Sequence, residues 1–287
     1  MTLDRDDLVL CAGSVMGTPF LDRLGPARAS GFTALSMQPH EHEQLLAAGV
    51  TDAELRARLA DHGLAISEFD AVTTWFDGHE PPAAWGPLAD MLRGNTADVL
   101  CPIAESVGAR SVTVVEFYGV EVDVDTAAAG FAAVCDRAAE HGLLAHLEFL
   151  PWAGIPDLRT AWQVVARAGR PNGGLLLDSW HLFRSGSTLD ELGTIPGEKV
   201  LYVQIDDAPA AAEPELSEET QHRRLLPGEG DFDLVGFVRT LDHIGCRAPI
   251  GVEVFSDELA DRPLAEIIER CATSTQAVLA AARSPVL

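Results

Sequence analysis

The stretch Gly174–Gly186, GLLLDSWHLFRSG, opens with a short aliphatic run after a Gly-Gly turn and becomes polar at Asp178, with His181 following one helical turn later. A run of this kind reads as a strand covered on both faces, as in parallel sheets. A carboxylate at its end has to be paired, hydrogen-bonded or bound to a cation, because an isolated buried charge costs several kcal/mol. Asp178 therefore demands a partner.

The same rhythm recurs along the chain. Aliphatic or β-branched runs lie at Leu8–Gly13, Phe32–Met37, Leu64–Val72, Arg110–Gly119, Leu143–Trp152, Gly174–Trp180, Val200–Ala208 and Pro249–Ser256. Amphipathic helical patterns separate them, including DAELRARLADHG and DLRTAWQVVARAG, which open near capping residues such as Thr51 and Asp157 and stop at glycine. Strand alternating with helix implies crossover connections and a parallel sheet, and eight such units close most naturally into one α/β domain, a single (β/α)8 barrel over residues 1–287. An open doubly wound sheet with insertions is the rival architecture. The non-periodic segment APAAAEPELSEETQHRRLLPGEGDFD after the seventh run is too long for a mere connection and is expected to be a functional loop.

Composition narrows the partners. A formal net charge of −24 repels nucleic-acid phosphates and anionic lipid, and basic residues cluster no further than pairs such as Arg223-Arg224. The five cysteines are scattered without a C-x-x-C motif, so they are expected to be reduced rather than to form a disulfide frame or a thiolate zinc site. The N-terminus MTLDRDDLVL is acidic where a secretory signal would be basic, and no apolar run reaches the roughly 18 residues of a membrane span. A cytoplasmic protein with a small-molecule substrate, no nucleic acid and no membrane is expected; self-association into a homo-oligomer stays open.

In a (β/α)8 barrel the chemistry belongs at the C-terminal strand ends. There the fifth to eighth runs carry Glu148, Asp178, Gln204 and Glu253, each interrupting apolar sequence. Any one of them has a bland reading as a helix cap. Four on consecutive strands, spaced by about 4.8 Å, converge, and three carboxylates that close would force protonation without a cation. A shared divalent metal resolves the conflict. Oxygen donors suit a hard ion, Mn2+ or Mg2+, with Co2+ also allowed.

The motifs HLEFLPW, LLLDSWH, YVQIDDAP, RRLLPGEGDFD and GVEVFS, in this order, resemble those of the xylose isomerase-like TIM barrels, the sugar phosphate isomerases/epimerases. The resemblance covers Leu143 to Ser256 well and the first half by strand rhythm alone. It implies that Glu148, Asp178, Gln204 and Glu253 are metal ligands, that His181 is the histidine of the D-x-x-H motif, and that Arg223 or Arg224 is the arginine before the P-G-E-G turn. One position departs: ketose 3-epimerases of this group usually have histidine where this chain has Gln204, whereas the dehydratases acting on 3-dehydroshikimate use glutamine.

Other residues are candidates with competing structural readings. His146, one alternation step before Glu148, points into the barrel as an acid/base or as a satisfied inward histidine. His181 can orient substrate or support a metal ligand by hydrogen bonding, and packing is its alternative. Of Arg223 and Arg224, one is expected to meet an anionic group and the other to be solvated. Glu68 and Glu116 interrupt apolar strands as substrate contacts or buried ion pairs. Trp75, Trp152 and Trp180 follow strand ends, where they wall a pocket or pack in the core.

These groups point to proton abstraction beside a metal-polarised carbonyl, with Glu148, Glu253, His181 or His146 moving the proton. An isomerase or epimerase of a sugar-like polyol ketone is the expectation. A dehydroshikimate-type lyase is the close alternative, a non-catalytic ligand-binding barrel is a second, and an apurinic endonuclease is disfavoured by the acidic charge.

Overall fold

The computed structural model describes residues 3–284 and shows a closed barrel of eight parallel strands in chain order. The strands are β1 (Leu8–Leu10), β2 (Ala34–Met37), β3 (Ala65–Val72) and β4 (Ala109–Val115), then β5 (Leu144–Glu148), β6 (Gly173–Asp178), β7 (Val200–Ile205) and β8 (Ile250–Val252). Leu8 of β1 lies opposite Ile250 of β8, so the sheet closes on itself and leaves no edge. The (β/α)8 expectation holds and the open doubly wound sheet is excluded.

The aliphatic run of β6 shows why both its faces are apolar. Leu175 and Leu177 point outward into the large core between sheet and helices. Leu176 points inward and packs with Val9, Cys11, Ala34 and Tyr202 inside the barrel. Strand alternation puts Asp178 on the inward side above Leu176. The same alternation stacks His146 and Glu148 on β5 and Tyr202 and Gln204 on β7, with Asp178 and Gln204 directly paired across β6 and β7.

The helices start where the sequence places capping residues. Asp157 accepts the Thr160 N–H at 2.7 Å to open the helix Leu158–Ala168, and Thr51 accepts the Glu54 N–H at 3.2 Å to open Asp52–Asp61. The long segment after β7 is ordered by Asp207. Its carboxylate accepts the N–H groups of Ala208, Gly228 and Phe232, clasping the Pro-Gly-Glu-Gly turn against the strand end. Within that segment the helix Leu216–His222 and the bridges Asp207–Leu225 and Arg223–Ser256 carry the chain back across the barrel mouth. All five cysteines are free and buried. Among the described residues no helix is long and apolar enough to cross a membrane.

At Gly174 on β6 the chain around Lys199 and Leu201 leaves no room for a side chain. A methyl group there would collide with the Lys199 carbonyl oxygen and lie 2.6 Å from Leu201 Cγ. Gly174→Ala is expected to cost about 1–3 kcal/mol in urea unfolding, as overpacking does. Gly25→Ala, with nothing within 4 Å in the helix Leu24–Ala29, is expected to be neutral or to stabilise by up to about 1 kcal/mol. Equal effects at the two positions would contradict this packing.

Candidate functional site

A cavity of about 420 Å³ opens over the C-terminal ends of the strands. Glu148, His181, Arg224 and Glu253 line it together with Asp70, Gln38, Thr73 and Asn95, and its lining also includes the apolar Met91, Phe117, Leu150, Trp152 and Phe255. Glu148, Asp178 and His181 each offer a ligand atom within 4.8 Å of the others, a grouping able to hold a metal ion.

Asp178 is saturated in a specific way. One carboxylate oxygen accepts the His181 N–H at 3.0 Å and so caps the helix Ser179–Arg184. The other accepts Arg224 Nη1 at 2.7 Å. The cap reading and the ion-pair reading are thus both correct for one side chain. Gln204, beside it on β7, is 3% exposed, and its Oε1 has no hydrogen-bond partner. An unpaired buried amide oxygen is costly and calls for a donor or a cation.

Arg224 is the partner the acids share. Its Nη1 also donates to Asp206 and to the Glu253 carbonyl, and it lies 4.0 Å from Glu253 Oε2. Its Nε and Nη2 donate to Thr220, and Nη2 sits 3.4 Å from His181 Nε2. Burial opposes the Arg224 charge, but Asp178, Asp206 and Glu253 outweigh it and hold the guanidinium protonated above its ordinary range. Burial likewise opposes the Asp178 charge, and the Arg224 guanidinium and the donated His181 N–H keep it below the usual carboxylate range nonetheless.

The remaining acids outnumber this cation. Burial pushes Glu148 well above the usual range, and the charges of Asp178 and Asp70 add to the shift. Glu253 rises for the same reason, against the pull of Arg224. Asp206 rises through burial and its neighbour Asp178. Burial lowers His181 to about 3, so its ring is neutral at pH 7. With one arginine as the cation beside them, these acids favour their neutral forms, and a further cation would be needed to ionise them together.

Several expected site residues sit elsewhere. His146 is fully buried one inward step below Glu148, stacked on Tyr202 with 5.3 Å between ring centroids and bonded to Ser111 Oγ at 3.0 Å, and it does not line the cavity. Glu68 lies at the same depth, accepting Thr113 Oγ1 at 3.0 Å and 3.7 Å from His146 Nε2. Trp180 is turned away from the cavity because the helix Ser179–Arg184 begins immediately after Asp178; its Nε1 donates to Glu219 at 3.1 Å, and Trp152 walls the cavity instead. Arg223 is half-exposed and pairs with Glu213, so of the two arginines Arg224 is the one at the site. Glu116 clamps the loop after β4 by accepting the N–H groups of Tyr118 and Val120.

Asp70 was not singled out from the sequence. It lies one alternation step beyond Glu68 on β3, which brings it to the mouth, and burial raises it to about 6. The signal was the strand period itself.

Comparison with known proteins agrees with this architecture. A family model described as xylose isomerase-like TIM barrel matches residues 24–274. A 3-dehydroshikimate dehydratase of Pseudomonas putida is 27% identical over 84% of this chain and 37% of its own length. An inosose isomerase of Bacillus velezensis is 31% identical over 50% of this chain and 51% of its own. The chain thus spans about half or less of the length of these curated relatives. The crystal structure of the IolI protein with a bound zinc atom superposes with a TM-score of 0.83 at 19% identity, covering 97% of this chain and 100% of that one, which is a likeness of fold. The barrel, its ordered strand-end acids and the match over residues 24–274 make this chain a member of the xylose isomerase-like TIM barrel family.

Proposed function

We propose that this chain is a divalent-metal-dependent isomerase or epimerase of a small polyhydroxylated ketone, with Glu148, Asp178, Gln204 and Glu253 holding the ion. The observation that carries this reading is the buried Gln204 Oε1, left without a partner next to Asp178. The surplus of carboxylates around Arg224 supports it, because a cation offsets their mutual repulsion. The donors are oxygen, which favours Mn2+ or Mg2+; His181, close to Glu148, adds a nitrogen that suits Co2+.

An ion held by these residues supplies positive charge to a carbonyl oxygen on which negative charge develops. Glu148 and Glu253 reach the cavity from β5 and from the end of β8, so two separate carboxylates are available to remove and return a proton at the carbon beside that carbonyl. His181 hydrogen-bonds the substrate from the cavity wall, and Arg224 positions Asp178 and Glu253. The apolar wall with Trp152 and Phe255 excludes water and packs the C–H face of a ring or chain. His146 and Glu68, below the cavity, serve packing and hydrogen bonding rather than proton transfer. The acidic charge favours a small-molecule substrate over nucleic acid.

One observation favours a second reading. Gln204 is the residue that dehydratases of 3-dehydroshikimate are expected to carry, and the Pseudomonas putida dehydratase matches 84% of this chain. Proton abstraction is common to both reactions; expulsion of a β-hydroxyl would make it a lyase. A barrel that only binds a ligand has no need of the grouped Glu148, Asp178 and His181.

Purified protein stripped with a chelator should lose turnover and regain it with Mn2+ or Mg2+, when assayed against ketoses, inosose-like cyclitols and 3-dehydroshikimate. Full activity without any divalent ion would overturn the proposal, and turnover of 3-dehydroshikimate alone would select the lyase. The two arginines should also separate. Arg224→Leu, which strands buried acids, is expected to cost about 3–5 kcal/mol in metal-free denaturation. Arg223→Ala should stay within about 0.5 kcal/mol. Similar losses for both would refute the assignment of Arg224 as the shared counter-ion.

A further inference from the structure

We propose that Asp70 determines specificity by accepting hydrogen bonds from hydroxyls of an uncharged polyol ketone and, with Glu148 and Glu253, by excluding phosphorylated or carboxylated substrates. This inference rests on the reading of the cavity as a polyol-ketone site and narrows its substrate class.

Three observations carry it. First, Asp70, Glu148 and Glu253 line the cavity, whereas the only lysine or arginine among its described lining residues is Arg224. That guanidinium is 2% exposed, and its nitrogens are engaged by Asp178, Asp206, Thr220 and the Glu253 carbonyl, so no N–H fork remains for a phosphate or carboxylate.

Second, two helix starts that contribute lining residues, at Pro39 and at Ser179, are closed by the chain's own acids rather than left open to an anion. The helix Pro39–Ala47 begins with a proline that has no N–H, and the Glu41 carboxylate folds back to accept the Gln38 N–H at 2.9 Å. The short helix Ser179–Arg184 is capped by Asp178.

Third, Asp70 sits where a bound molecule would meet it. It is half-buried at the mouth and lines the same cavity as Gln38, Glu148 and Glu253. With a divalent ion bound, its carboxylate ligands ionise, and the ion and Arg224 bring three positive charges against up to five carboxylates, Asp70, Glu148, Asp178, Asp206 and Glu253. An added anion enters a site that is already negative, whereas sugar hydroxyls find acceptors. At an effective dielectric constant of about 20, a facing charge some 8 Å away is worth roughly thirtyfold in affinity.

The test is calorimetric, on protein whose Mn2+ binding has been measured first. Pairs in which one member carries an anionic group that the other lacks are titrated: methyl shikimate against shikimate, and D-fructose against fructose 6-phosphate. The neutral member of each pair should bind at least tenfold more tightly. Asp70→Asn should weaken the neutral members and shrink the preference at least threefold. Equal or tighter binding of the anions, an unchanged preference in Asp70→Asn, or no binding of either neutral compound would overturn the inference. Protein that takes up no Mn2+ contradicts the metal-dependent reading instead, and the same pairs titrated into that metal-free protein still decide the preference.

Discussion

One buried guanidinium holds the mouth of this barrel together. Arg224 arrives on the segment after β7 and bonds Asp178 and Asp206, with Glu253 at 4.0 Å. Acids from the ends of β6 and β7 and from beyond β8 are thereby fixed to one point, and Asp178 is kept charged although it is buried. The same contact ties the long segment to the barrel, since Arg224 reaches the acids only because the Asp207 clasp and the Arg223–Ser256 bridge place that segment over the strand ends. Fold, loop order and site electrostatics are one arrangement.

That arrangement is rigid where it needs to be. Leu176 and Tyr202 fill the barrel beneath Asp178 and Gln204, and Gly174 lets β6 and β7 close tightly, so the inward side chains of both strands start from fixed positions. The cost is a crowding of carboxylates at a cavity whose lining also carries apolar side chains such as Trp152 and Phe255. A pocket that offers both acidic and hydrophobic side chains suits a polyol, whose hydroxyls and C–H groups need different partners.

The fold was legible because aliphatic runs alternate with amphipathic helical patterns that stop at glycine, and this pattern survives without tertiary knowledge. Glu148, Asp178, Gln204 and Glu253 were legible for a related reason: a polar residue that ends a buried strand has few other places to go. Depth was harder to read. His146 shares the inward face of Glu148, yet one alternation step of strand lowers it from the cavity into the packed interior, and Glu68 lies equally deep while Asp70 reaches the mouth. Alternation gives the face of a side chain but not its height, which depends on the shear between strands. Arg223 and Arg224 are adjacent in sequence and opposite in fate, because the bridge of Arg223 to Ser256 turns one outward and the other inward. Trp180 was misread because a helix begins at Asp178 and rotates it against Glu219.

The central claim is that the unpaired Gln204 oxygen and the strand-end acids form one cation site. Crystals grown with Mn2+ and measured at the manganese absorption edge test it most directly. The account predicts a single anomalous peak in contact with Glu148, Asp178, Gln204 and Glu253. A peak that leaves Gln204 and Glu253 uncoordinated, or no peak at the barrel mouth, would contradict it.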